Sequence, residues 1–531
     1  MGQTMFFRFM PRLAFCAVAS LTGFVWPNIA VSSSLHLPES EEFSFQELLP
    51  SDNVITLTLQ EAVMEALDHN LDIRVSRHTR DVRLTDIVFQ QAQFDPTVEL
   101  GGRYDRTVVP LNRPIFGLGG VTLGSIPDTF DQNETNFSLG LKQKLLTGGS
   151  YDLTIDTNRN SVAGSTSFLF NPAYSSNILF NLTQPLLRNF GPTVNNIQIT
   201  LAQNAADVEQ LTLLNQILSV IAQVEQAYWE LVFARENLKV ARATLQAAEE
   251  LLASNRAKVK AGVMADVEVL QAQAGVANQI EQILLAQKTV LDQEDQLRLL
   301  LSKSELKLTQ TTPLVPLDPP IQHLQETPLQ ENLEVAFEHR PEILQAKMNI
   351  ETSNVNTRFA KNQLLPDLSF QGSLGLSGLG RNPGDNWDRL GSTDFYNMGG
   401  GLVLSYPIGN RSAQSQYQRR ILETQQSQAS LLRVRQQIIL DVKEAIRQVQ
   451  TSFKRTRTNQ TARQLSERQL KAEQERLNLG LSTTRFVLEF QRDLRIARSR
   501  ELRAILDYNQ SLSRLRLVTA STLDHYNIEI Q

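Results

Sequence analysis

The residue types that do covalent chemistry are present in this 531-residue chain, but not in working arrangements. Its six histidines (His36, His69, His78, His323, His339 and His525) are scattered and show no metal-ligand spacing. No Gly-x-Ser-x-Gly element occurs. The Gly-rich stretch from Gly117 to Gly124 lacks the Lys-Ser/Thr of a phosphate-binding loop. Carboxylates are plentiful, yet at helical spacing they read as a solvated face. No catalytic residue, cofactor or metal site is expected, and the chain does not read as an enzyme. A formal net charge of −5 without a dense Lys/Arg block argues against nucleic acid as a partner.

The informative spacings concern assembly. Val224, Leu231, Leu238, Leu245 and Leu252 recur every seven residues, with Ala227, Ala234, Ala241 and Ala248 three places behind them. That is an a/d seam on which another helix lies closely, because alanine leaves room for the neighbouring backbone. At ~1.5 Å per residue the segment from Gly191 to Gly262 extends roughly 100 Å. The whole pattern then recurs. Gly262, Val269, Leu270 and Gln273 match Gly480, Val487, Leu488 and Gln491 at an offset of 218, shared by Gly191 and Gly409. Leu59-Gln60-Glu61 matches Leu329-Gln330-Glu331, and Pro96 matches Pro366, at an offset of 270. The chain is a tandem duplication whose first copy carries about 50 extra residues between Pro96 and Gly191.

The elements that carry these spacings follow in order. Residues 1–32 read as a signal peptide: Arg8 and Arg12 precede an apolar run to Trp26, and small residues follow. The only cysteine, Cys16, lies inside it behind a bulky Phe15, so lipidation is not expected there and the mature chain is free of thiol chemistry. No later apolar run is long enough for a transmembrane helix, which leaves a closed β-barrel as the way across a membrane. The first repeat spans 52–302, with helices at about 52–95 and 192–302 and strands at about 97–186. A Pro-rich linker covers 303–328. The second repeat spans 329–523, with helices at about 329–365 and 411–523 and strands at about 367–407. In the strand regions the period is two: Val98, Leu100 and Tyr104 alternate with Glu99, Arg103 and Asp105, and Phe137, Leu139 and Leu141 with Ser138, Gly140 and Lys142. Runs of about ten residues fit either a membrane barrel or a soluble antiparallel sandwich. Long loops (109–134, 163–175 and the Gly-rich 378–401) set against a tight turn at Gly148-Gly149 match the asymmetry of a barrel.

The element Gly-Val-Met-Ala-Asp-Val-Glu-Val-Leu-Gln-Ala-Gln at Gly262, its echo at Gly480, and the strand endings Leu182-Thr183-Gln184-Pro185 and Leu404-Ser405-Tyr406-Pro407 resemble the TolC family of outer-membrane efflux ducts. The resemblance covers about residues 52–522. It implies a mainly helical α+β homotrimer, in which a long coiled-coil α-barrel of duplicated helix-turn-helix units joins a transmembrane antiparallel β-barrel. It further implies an outer-membrane location reaching into the periplasm, contact with outer-membrane lipid, and a periplasmic adaptor protein and inner-membrane pump as partners. The implied role is a passive export duct of a tripartite efflux pump or a type I secretion system. On this reading the adaptor docks at Gly262, Val263, Met264, Gly480, Leu481 and Ser482, and Pro96, Pro185, Gly191, Pro366, Pro407 and Gly409 mark the barrel-to-helix junction. Asp266 and Thr483 or Thr484 would cap the returning helices. Family members carry acidic constriction residues six and nine places after the second tip glycine. Those positions here are Phe486 and Glu489, with Glu268 and Gln271 in the first repeat, so either an acidic or an apolar ring is expected. The extra hairpin around Gly148-Gly149 would add two strands per copy to the usual four, or pack inside or outside the barrel. The rival reading is a non-transporting periplasmic or surface coiled-coil structural or adaptor protein with a soluble sheet.

Overall fold

The computed structural model describes residues 54–110, 129–163, 168–301 and 312–528. The expected signal peptide, the Gly117–Gly124 loop and the start of the expected linker lie outside the described residues.

A short strand β1 (Ile55–Leu57) precedes helices α1 (Leu59–His69) and α2 (Leu71–Gln91). The Leu-Gln-Glu motif is a capping box: the Glu61 amide donates to Thr58 Oγ1 at 3.2 Å, and the Glu61 carboxylate accepts the Thr58 amide at 2.8 Å. Those bonds hold the Glu61 carboxyl below the usual carboxylate range. Asn70 ends α1 and starts α2, its Oδ1 accepting the amides of Asp72 and Ile73. Four strands follow: β2 (Thr97–Pro110), β3 (Thr129–Lys144), β4 (Ser150–Val162) and β5 (Ala173–Pro185). A single turn, α3 (Pro192–Asn195), leads to α4 (Ile197–Lys260), which folds back as α5 (Asp266–Leu301). The linker carries β6 (Leu314–Pro316), and the second repeat runs through α6 (Leu329–His339), α7 (Pro341–Asn362), β7 (Asp367–Gly380), α8 (Pro383–Gly391), β8 (Tyr396–Ser405), α9 (Arg411–Asn478) and α10 (Thr484–Thr519), followed by α11 (Thr522–Tyr526).

The 64 residues of α4 and 68 of α9 make rods of about 100 Å each. The seven-residue series forms the packed seam: Val224, Leu231, Leu238, Ala227, Ala234, Ala241 and Ala248 are buried, facing Ile283, Val290 and Leu297 of α5. A second core joins Val442, Ala445 and Val449 of α9 to Tyr508, Leu512 and Leu515 of α10. Part of the expected linker is structured. β6 pairs in parallel with β1, and Tyr228 anchors the segment after it: its hydroxyl donates to Asp318 Oδ2 at 2.5 Å and accepts the Leu317 and Asp318 amides. Burial pushes the Tyr228 hydroxyl pKa upward.

The remaining strands form one antiparallel sheet in the order β2-β3-β4-β5-β7-β8. Its first-repeat strands run 13–16 residues, longer than the ten expected. Alternation continues into Asn, Asp and Gln residues that read as loop in sequence. Cross-strand pairs hold them: Arg106 with Asp131 at 2.8 Å, Gln132 with Asn160 at 3.1 Å and Tyr104 with Asn133 at 2.9 Å. The Gly-rich stretch 378–401 is also more ordered than expected. It holds α8, started by Asn382, whose side chain accepts the Asp385 amide, with Pro383 in the first turn. Bare Gly378 and Gly380 of β7 let α8 lie directly on the strand.

Candidate functional site

Three features make up the site: the two-faced sheet, the junction where strands become rods, and the hairpin tips.

On the sheet, register sorts every side chain to one face. Leu100, Leu139, Ile155, Ile178, Leu376 and Tyr396 form one row across all six strands, and Val98, Leu141, Leu153, Phe180, Leu374 and Met398 form the next. Leu100 is 84% exposed and Met398 78%, so among the described residues the border strands of this band stand uncovered, while α8 lies on the same face over Gly378 and Gly380 of β7. Thr97, Lys142, Asp152, Asn181, Ser373 and Gly399 form a row on the opposite face. One greasy and one wet face is the arrangement of strands between lipid and an aqueous lumen.

At the junction, the two repeats are laced together. The Leu186 amide donates to Leu368 O at 2.7 Å, beside Pro185, and the Arg188 amide to the carbonyl of Pro366 at 3.2 Å. Asn189 takes Asn362 Oδ1 on its amide at 2.8 Å and accepts from Gln363, while Asn410 donates to Leu364 O at 3.1 Å. Gly191 (φ 96°) and Gly409 (φ 85°) turn the chain from strand to helix through backbone that a side chain would strain. Pro407 accepts the Asn410 amide in the second of these turns, and Pro96 follows the short helical turn that ends the first helical segment. These asparagines were not singled out by sequence reasoning, although Asn189-Phe190-Gly191 and Gly409-Asn410 are turn signals.

At the far end, both hairpins turn through left-handed glycines, Gly262 (φ 75°) and Gly480 (φ 73°). The Val263 amide reaches back to Lys258 O at 3.0 Å and Leu481 to Arg476 O at 2.8 Å, closing the same six-residue cap twice. The two tips meet. Asn255 is fully buried and donates to Thr484 Oγ1 at 2.7 Å, Lys258 donates to Asn478 at 3.0 Å, and Leu251, Met264 and Phe490 pack on Leu477 and Val487. Asn255 continues the series Ala227, Ala234, Ala241, Ala248; that break in an alanine seam was the available signal.

The expected caps differ. Thr483 makes no side-chain cap bond, and the first amide of α10, Thr484 N, is taken by the Glu268 carboxylate from the other repeat at 2.8 Å. Asp266 lies inside the first turn of α5, where its charge favours the helix N-terminus. Glu268 is thus engaged within the chain. Gln271 lines a cavity of about 700 Å³ between α5 and α10, with Asn278, Arg485, Glu489, Arg492 and Arg495. Phe486 is half exposed, and Glu489 stands 4.0 Å from Arg492. Val263 and Leu481 are largely exposed at the extreme tips, and Ser482 is turned inward onto Glu473.

No helix among the described residues is long and apolar enough to cross a membrane.

Comparison with known proteins agrees with this architecture. The outer membrane efflux protein family matches residues 150–303 and 332–521. A comparison with curated protein sequences finds no match. Among solved structures the chain is similar to the outer-membrane channel OprN (TM-score 0.63, 16% identity, 87% of this chain and 89% of that one). It is similar to the Campylobacter jejuni CmeC outer membrane channel (TM-score 0.62, 15% identity, 94% and 98%). It is also similar to the open state of the Neisseria gonorrhoeae MtrE outer membrane channel (TM-score 0.58, 17% identity, 87% and 88%). At these identities the solved structures speak for the fold, whereas the family match takes in the long hairpins of both repeats. The chain therefore belongs to the outer membrane efflux protein family, transport proteins of the outer membrane.

Proposed function

We propose that three copies close into one passive export duct, serving as the outer-membrane part of a tripartite efflux pump or a type I secretion system. The sheets line a pore through the outer membrane, and the hairpins continue it as a helical tunnel across the periplasm. The observation that carries this reading is the uncovered apolar band, continuous over six strands and joined end-on to rods of about 100 Å. A soluble structural protein would have to bury that band, which is exposed at Val98, Leu100, Leu374, Tyr396 and Met398.

The tips are the docking point for an adaptor joined to an inner-membrane pump. Exposed Val263 and Leu481, together with Leu479, Val267 and Leu270, give that end an apolar crown. Docking realigns the helices and opens the tunnel; the pump supplies the energy. Phe486 and Glu489 lie on an exposed face of α10 and form the constriction. Arg485 and Arg492 flank them, so a ring of three Glu489 carboxylates would be offset by neighbouring cations. Glu268 and Gln271 support the constriction from inside the chain.

Membrane fractionation tests the reading. The mature chain should sediment with outer membranes and be released by detergent alone. Recovery in the soluble fraction after osmotic shock would refute it.

A further inference from the structure

The duplication predicts two strands per repeat, and the second repeat has them in β7 and β8. The first repeat puts four, β2 to β5, into the same sheet. We infer that the additional hairpin β3–β4 is a full member of the membrane wall, so that three copies build an 18-stranded barrel rather than a 12-stranded one. This rests on the three-copy assembly proposed above.

Pairing places the hairpin in the wall. β3 pairs with β2 from Thr97↔Lys142 to Pro110↔Thr129, and β4 pairs with β5 from Ser150↔Thr183 to Asn160↔Ala173, with no break in the sheet. A flap folded into the lumen or over the outside would leave β2 and β5 to pair with each other, and they do not. Chemistry agrees: Leu139 and Ile155 stand in the apolar row, while Ser138 and Asp156 face each other on the wet side. The hairpin's turn also ends at the junction, where the Gly191 amide donates to Thr147 O at 3.0 Å.

The sheet's two borders identify the occupant of each free edge. Among the described residues β2 and β8 have one neighbour each, and every residue of β8 is exposed. β2 leads away from the junction and β8 returns to it. A second copy offering its β8 to this β2 therefore continues the antiparallel order, and an even number of strands per copy lets the ring close without a mismatch. Barrel diameter grows roughly linearly with strand number, so the wall is about half as wide again as four strands per copy would make it, in the size class of open aqueous pores. The outer-membrane exit is then wider than the duplicated plan requires.

The test uses full-length protein with Cys16→Ser as background, reconstituted as the assembled complex in liposomes. Single cysteines at Leu139, Ile155, Ser138 and Asp156 are labelled with an environment-sensitive dye. Leu139→Cys and Ile155→Cys should give blue-shifted emission quenched by nitroxide lipids, and Ser138→Cys and Asp156→Cys should give water-like emission. Water-like signals at all four sites in an intact three-copy complex would overturn the wider barrel and leave the duct reading standing. Failure to form any membrane-bound oligomer would instead overturn the duct reading. Electron cryo-microscopy of the unlabelled complex provides a readout free of substitutions: 18 strands in cross-section support the inference and 12 refute it.

Discussion

At the scale of single residues, backbone geometry and buried charge set the sensitive positions. Gly262 and Gly480 hold left-handed backbone, where a Cβ costs about 1 kcal/mol or more. Gly262→Ala and Gly480→Ala should each lower thermal stability by about that amount, and Asn should be tolerated better than Ala; calorimetry of the assembled protein measures both. Glu225 is fully buried and is held by Arg516 at 3.1 Å and the Tyr526 hydroxyl at 2.5 Å. Arg516→Met leaves that carboxylate without its cation and should destabilise by about 3–5 kcal/mol in denaturant titration. A cost below about 1 kcal/mol would show that the pair is dispensable. His525, beside this group, has its pKa lowered from 6.5 by burial and then by the Arg516 charge. Folding thus favours its neutral form, so the unfolded chain takes up a proton first as pH falls. Stability should decline as pH drops below about 6.5, a slope that His525→Gln should flatten.

At the scale of elements, what could be read in advance depended on how local the cause was. Rod ends were legible because each is fixed by a glycine within its own turn, and the seam was legible because seven-residue spacing acts along a single helix. Strand lengths were underestimated because Asn133, Asn158 and Asn160 are poor strand formers that hold their places through partners on other strands. α8 was missed because its nine residues sit among glycines, although Asn382-Pro383 is a helix start. The tie between the tips was illegible for a different reason: Asn255 and Thr484 are 229 residues apart and meet only when the two hairpins dock. Asn255→Ala removes a buried bond between the hairpins, worth about 1–3 kcal/mol. It should raise the open fraction of single channels in planar bilayers several-fold or more. Unchanged gating would mean that the tips are held closed by other contacts.

At the scale of the whole molecule, duplication explains why one chain supplies both a wall and a rod, and the near-neutral total charge conceals an imbalance. Residues 411–519 carry 22 Lys and Arg against 10 Asp and Glu, while residues 197–301 carry 8 against 13. The two hairpins together are therefore positive by 7 per copy. A narrow tunnel concentrates such a field, so the open duct should favour anions, seen as the sign of the reversal potential under a salt gradient. The central claim remains that bare sheet edges and an uncovered apolar band are satisfied by other copies of the same chain. The most direct measurement is the mass of the detergent-extracted protein by light scattering with detergent correction, with and without heating. Three copies are expected before heating and one after. A stable single copy that stays soluble once detergent is removed would contradict it.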